Sequence, residues 1–208
     1  ERYQLTIGKN PVLRADLLSI MANLCDQGLS KSHASKLYED AFVQAVSSDD
    51  NAALRLAGLR GMINIDPVKA YELSKRQQLM NDASPAVRLF VIQLAASSGG
   101  TDDLDWLLSI LNNNENSEQA WQAIKSILVR QKSTFLLKWI DEHEKEISRD
   151  DYLREILELA EQKAIGEKAT GNTITAQKKM IQWYAARKAY EQAVMYLDKI
   201  QYSPQSNP

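Results

Sequence analysis

Two stretches of this 208-residue chain superpose on one another at a spacing of about 33 residues. "SDDNAALRLAGLRGM", Ser48 to Met62, aligns with "NDASPAVRLFVIQLA", Asn81 to Ala95, matching Asp49 to Asp82, Ala53 to Ala86, Leu54 to Val87, Arg55 to Arg88 and Leu59 to Ile92. A third stretch, "ENSEQAWQAIKSIL" from Glu115 to Leu128, keeps Ala120, Trp121, Ile124 and Leu128 in the places of Ala86, Val87, Phe90 and Leu94, without the arginine. A unit of this length cannot bury its own apolar face, so recurrence implies that neighbouring units stack and share a core. That excludes most compact architectures before any other property is consulted.

The apolar spacing within and around these units is helical almost throughout, interrupted roughly every 12 to 18 residues by capping or turn signals. Pro11 to Gln27 carries Leu13, Leu17, Ile20 and Leu24 on one face and stops before Gly28, and Ser30 caps a segment running to Val46. Asp66 and Pro67 form an N-cap followed by a first-turn proline, and Ser84 and Pro85 repeat the device. Thr101, Asp102 and Asp103 cap "LDWLLSIL", and Asn112 to Ser117 reads as a loop. Helices follow over Glu118–Arg130, Ser133–Glu146 and Arg149–Lys168. Gly171-Asn172-Thr173 turns into a last pair, Thr175–Arg187 and Ala189–Gln201. Eight glycines and five prolines are too few for many short strands. The expectation is an all-α protein of about eleven helices, arranged as a right-handed α-solenoid of stacked antiparallel pairs.

The acidic lead-in followed by Leu or Val and Arg, then an apolar stripe, resembles the first helix of HEAT repeats. That resemblance implies that Asp49, Asp82, Arg55 and Arg88 contribute to a polar ladder between units. The terminal segment "MIQWYAARKAYEQAVMYLDKI" resembles a single tetratricopeptide hairpin, with Met180, Tyr184, Tyr190, Ala193, Leu197 and Ile200 at its interface positions, although Ile181 stands where that family has glycine. An ordinary amphipathic hairpin closing a solenoid accounts for the same residues. The pattern divides the chain into HEAT-like repeats over 1–146, C-terminal helices over 147–202 continuous with them, and a polar disordered tail over 203–208.

A net charge of −2 offers no general attraction to phosphate backbones, and no basic patch interrupts it, so no nucleic-acid partner is expected. One cysteine, Cys25, excludes an internal disulfide, and with His33 and His143 far apart it leaves no zinc cluster. In "DEHEKE", Asp141 to Glu146, adjacent residues point about 100° apart on a helix and cannot close on one metal, so the cluster reads as a solvated face. His33 has no placed carboxylate or nucleophile beside it, and Cys25 sits among apolar residues as a small buried side chain does. No phosphate loop or nucleophile motif appears. The chain is therefore expected to be non-enzymatic, with no cofactor and no metal. No run is long and apolar enough to span a membrane; a soluble protein follows, cytoplasmic or exported, and the first residue, Glu1, reads as the start of a piece of something longer.

Among the tryptophans, Trp121, Trp139 and Trp183 follow the apolar stripes of their helices and read as core. Trp106 differs, because the stripe of "LDWLLSIL" is Leu104, Leu107, Leu108 and Leu111, which places Trp106 and Ile110 together on another side. Packing on an adjacent repeat and anchoring a partner are the two readings of that side. The expected function is a protein-interaction or scaffold module recognising another protein or another domain of its own chain. Its candidate surface is Tyr71, Arg76, Trp106 and Ile110 on second helices of the central repeats. The alternative, from the same resemblance, is a nucleic-acid-binding protein of the DNA-alkylation-repeat glycosylase type.

Overall fold

In a computed structural model of the protein, the described residues are Glu39, 52–113, 116–147 and 149–201. Helix accounts for 84% of them and no strand occurs among them, so the all-α expectation holds for this part. Cys25, His33, Asp49, the segment Pro11 to Val46 and the tail 203–208 lie outside the described residues. The helices fall into two compact units that meet in sequence between Asp103 and Leu104. The pattern change at 146/147 therefore falls inside the second unit.

The first unit contains α1 (Ala52–Ile65), α2 (Pro67–Arg76) and α3 (Pro85–Ser98), with 3₁₀ turns at Leu79–Asn81 and Thr101–Asp103. Each α-helix packs on the next, and α1 also packs on α3. Asp66 begins α2 as its sequence predicts: its Oδ1 accepts the Lys69 amide at 3.0 Å and Pro67 occupies the first turn. Ser84, by contrast, makes no side-chain cap for α3; its own amide donates to Asp82 Oδ1 at 2.8 Å. Leu59, Met62, Ala70, Tyr71, Leu73, Val87, Val91, Ile92 and Ala95 form the core of this unit. Gly99 ends α3, and a Cβ there would lie 2.6 Å from the Ala95 carbonyl oxygen, a backbone atom that cannot step aside. Gly99→Ala is expected to destabilise this unit by about 1 to 3 kcal/mol, measurable by urea unfolding, while Gly100→Ala, whose Cβ would meet nothing within 4 Å, should be close to neutral.

The second unit contains α4 (Leu104–Asn112), α5 (Ser117–Val129), α6 (Ser133–His143), α7 (Asp150–Gly166), α8 (Thr170–Ala186) and α9 (Tyr190–Gln201). Within it α4 packs on α5, α6 on α7, α7 on α8 and α8 on α9, and α5 also reaches α7 while α6 reaches α8. That arrangement follows from helices that are apolar on two flanks, as in α5, where Ala120, Trp121, Ala123, Ile124, Ile127 and Leu128 are all buried. The turn expected at Gly171-Asn172-Thr173 lies one step earlier. Those residues are already in α8, and the chain reverses at Glu167-Lys168-Ala169, where Lys168 has φ 55° and the Ala169 amide donates to Ala164 O at 2.8 Å. The same closure recurs at Lys188, with φ 59° and the Ala189 amide donating to Tyr184 O at 3.0 Å. A backbone bond reaching back five residues closes each helix with a lysine, not a glycine, at the positive φ, which is why composition hid the turn.

Candidate functional site

An Asp and an Arg of the repeat pattern meet in the first unit. Arg55 Nε lies 2.7 Å from Asp82 Oδ2 and Arg55 Nη2 donates to Asp82 Oδ1 at 2.8 Å, a two-pronged pair with 9% and 6% of the two side chains exposed. Arg88 donates from Nη1 to the backbone carbonyls of Asp82 at 2.7 Å and Ala83 at 3.2 Å. One arginine thus holds the Asp82 carboxylate and the other holds its backbone. Arg60 lies over the Phe90 ring at 5.7 Å, so α1 and α3 are joined by cations as well as by apolar contact.

A second polar group in this unit surrounds Asp103, which is 4% exposed. Its Oδ2 accepts the Gly100 amide at 2.8 Å and its Oδ1 lies 3.1 Å from Lys75 Nζ. Burial, and after it the Asp103 carboxylate, pushes the Tyr71 hydroxyl well above its ordinary range. Tyr71 is 1% exposed, so its ring belongs to the core and is not available at a surface. Arg76, the last residue of the same helix, is exposed. The candidate surface drawn from sequence is therefore reduced in this unit to Arg76, because Tyr71 turns inward to Asp103.

Trp106 and Ile110 belong to the second unit, one turn apart on α4. Leu104, Leu107, Leu108 and Leu111 are buried, whereas Trp106 and Ile110 are only half-buried. The helix has two apolar sides, and the one bearing Trp106 is partly open. Between its two sides Asp105 stands exposed, 3.4 Å from His143 Nε2. His143 itself departs from the solvated position expected of it: its ring stacks on Trp139 at 4.9 Å and Nδ1 bonds the Trp139 carbonyl oxygen at 2.9 Å. Glu142 and Glu144 beside it are exposed.

The second unit also holds a seam that sequence reasoning missed. Trp121 stacks on Tyr152 at 4.2 Å, its Nε1 donates to Glu155 at 3.3 Å, and Lys125 donates to the same carboxylate at 2.8 Å. Tyr152 donates to Glu118 at 3.0 Å and carries the Arg149 guanidinium 4.1 Å over its ring. Hydrogen bonds from Gln122 and then Tyr152 hold the Glu118 carboxyl below its usual range, while burial holds the Tyr152 hydroxyl above its own. Farther along, Ser133 donates from its amide at 3.1 Å and from its hydroxyl at 2.6 Å to Glu167, and Asn172 donates to the same hydroxyl at 2.8 Å. Trp121 with Glu155, Glu118 with Tyr152, and Ser133 with Glu167 are each 34 residues apart. The signal was present as a constant offset between polar partners, invisible to a search keyed to apolar stripes.

Compared with protein-family models, curated proteins and solved structures, the chain matches none. Its function is read from geometry alone. Among the described residues no group of three His, Cys, Asp or Glu side chains is placed to hold a metal ion, and no helix is long and apolar enough to cross a membrane. Trp121 and Trp139 are buried as their stripes predict, but Trp183 is half-buried, with Arg187 lying 4.2 Å over its ring and bonded to Asp150.

Proposed function

We propose that this protein is a non-catalytic interaction module built from HEAT-like helical pairs, stacked as a right-handed α-solenoid, which recognises another protein through the open side of α4. The observation that carries the reading is the half-buried Trp106, with Ile110 one turn on, facing away from the four buried leucines of the same helix. A large amphipathic ring left partly open costs little conformational entropy to immobilise, which is why tryptophan dominates binding hot spots. Two features support the stacked-repeat reading: the Arg55–Asp82 pair joining one unit of the pattern to the next, and the 34-residue offset of the polar seam. Both are nearest-neighbour links of the kind that stacked repeats use.

Trp106→Ala tests the assignment in two parts. Its thermal midpoint should fall by less than about 4 °C, equivalent to about 1 kcal/mol for a chain of this size. A photo-crosslinking amino acid at position 106, in cells that express the protein, should capture a distinct partner that the same label at exposed Gln122 does not. If Trp106 instead packs as core, the substitution would cost roughly 3 to 5 kcal/mol and no selective crosslink would form.

A further inference from the structure

Helix α9 leaves one apolar stripe uncovered. The tetratricopeptide resemblance assigns Tyr190 and Leu197 to the hairpin interface, yet they are 62% and 44% exposed, together with Val194 at 53%. The reason is rotational: α9 meets the rest of its unit through Ala193, which is 8% exposed, and through the half-buried Tyr196 and Ile200. Tyr196 lies against Tyr184 of α8, and Lys199 is directed inward over the Tyr196 ring at 4.0 Å and to Glu161 at 3.5 Å. Tyr190, Val194 and Leu197, spaced i, i+4 and i+7, form a separate line along the helix that nothing among the described residues covers.

The charges at the ends of this line indicate what would cover it. Lys188 precedes Tyr190 and Asp198 follows Leu197; both are exposed, and neither has an ion-pair partner among the described residues. Asp198 also sits in the last turn of α9, where the helix's own carbonyl ends disfavour a carboxylate. Turning a copy of the helix end for end about a point between Ala193 and Val194 lays Tyr190 over Leu197 of the copy. The same operation brings Lys188 to within one residue of Asp198 of the copy, inside the reach of a lysine side chain, and does so twice by symmetry. It also sets each Asp198 beside the amino end of the opposing helix.

We propose that α9 pairs antiparallel with α9 of a second copy of this chain, its Tyr190–Val194–Leu197 stripe packed on itself and Lys188 paired with Asp198 of the other copy at each end. Val194 then meets its own symmetry mate. Met195, 64% exposed and rotated by about 100° from Val194, points away from the contact and serves as an exposure-matched control.

The test uses the full chain with Cys25→Ser. Under mild oxidation, Val194→Cys should form an interchain disulfide at least about ten times faster than Met195→Cys, since only the former brings two thiols within bonding geometry. Sedimentation velocity over a concentration series should show reversible dimerisation of the parent. Lys188→Glu or Asp198→Lys alone should weaken it by about fivefold, and the two together should restore the parental value. The proposal is overturned if the parent stays monomeric throughout, as it would if a different protein or a further helix covered the stripe. It is equally overturned if the two cysteine variants crosslink at the same rate, or if the two charge reversals add instead of cancelling.

Discussion

Asp82→Ala is expected to destabilise the first unit by about 3 to 5 kcal/mol, because it removes the carboxylate that pairs with the Arg55 guanidinium in a site where only 9% of that side chain reaches solvent. Asp82 Oδ1 also accepts the Ser84 amide ahead of α3, so the same change frays the start of that helix. Removing both charges should be much milder: Arg55→Met with Asp82→Ala is expected to cost less than Asp82→Ala alone, since a buried pair replaced by apolar groups loses attraction and desolvation penalty together. Urea unfolding of the two single variants and the double variant measures the coupling. Additive losses would mean that the two residues act independently and that the pair does not join the two sequence units.

Trp121→Ala should cost the second unit about 3 to 5 kcal/mol. Trp121 is 1% exposed and rests on Tyr152 in an offset stack, so its loss opens a cavity and removes the contact that aligns α5 with α7. Trp121→Phe keeps a ring over Tyr152 and should recover a large share of that loss, although the bond from Nε1 to Glu155 goes with it. Hydrogen exchange resolved along the chain gives the sharper readout. Protection should fall in both α5 and α7, which are separated in sequence by α6. A loss confined to α5 would show that the stack does not couple them.

The sequence was most readable where one residue decides a local event. Asp66 with Pro67 starts α2 by side-chain chemistry that needs no distant partner, and the leucines of α4 are buried as their spacing dictates. Arg55 with Asp82 was readable for a different reason, since a repeated pattern carries its partner at a fixed interval. Failures occurred where the deciding group lay elsewhere in the chain. Nothing near Tyr71 announces that Asp103 awaits it in the interior. Gly171 and Asn172 look like a turn until Asn172 is seen to spend its side chain on Ser133. Tyr190 and Leu197 resembled interface residues, but the face that α9 buries is chosen by Ala193, whose small side chain permits the closest approach.

Glu167 has a consequence for synthesis. It closes α7, yet its carboxylate receives the amide and hydroxyl of Ser133 at the opening of α6, where Lys132 offers no side-chain cap. As the chain emerges from the ribosome, α6 is complete in sequence long before the group that satisfies its first donors has been made. Until α7 folds back to deliver Glu167, those donors at the amino end of α6 are left to water. Translation thus completes the beginning of α6 only once α7 has been made.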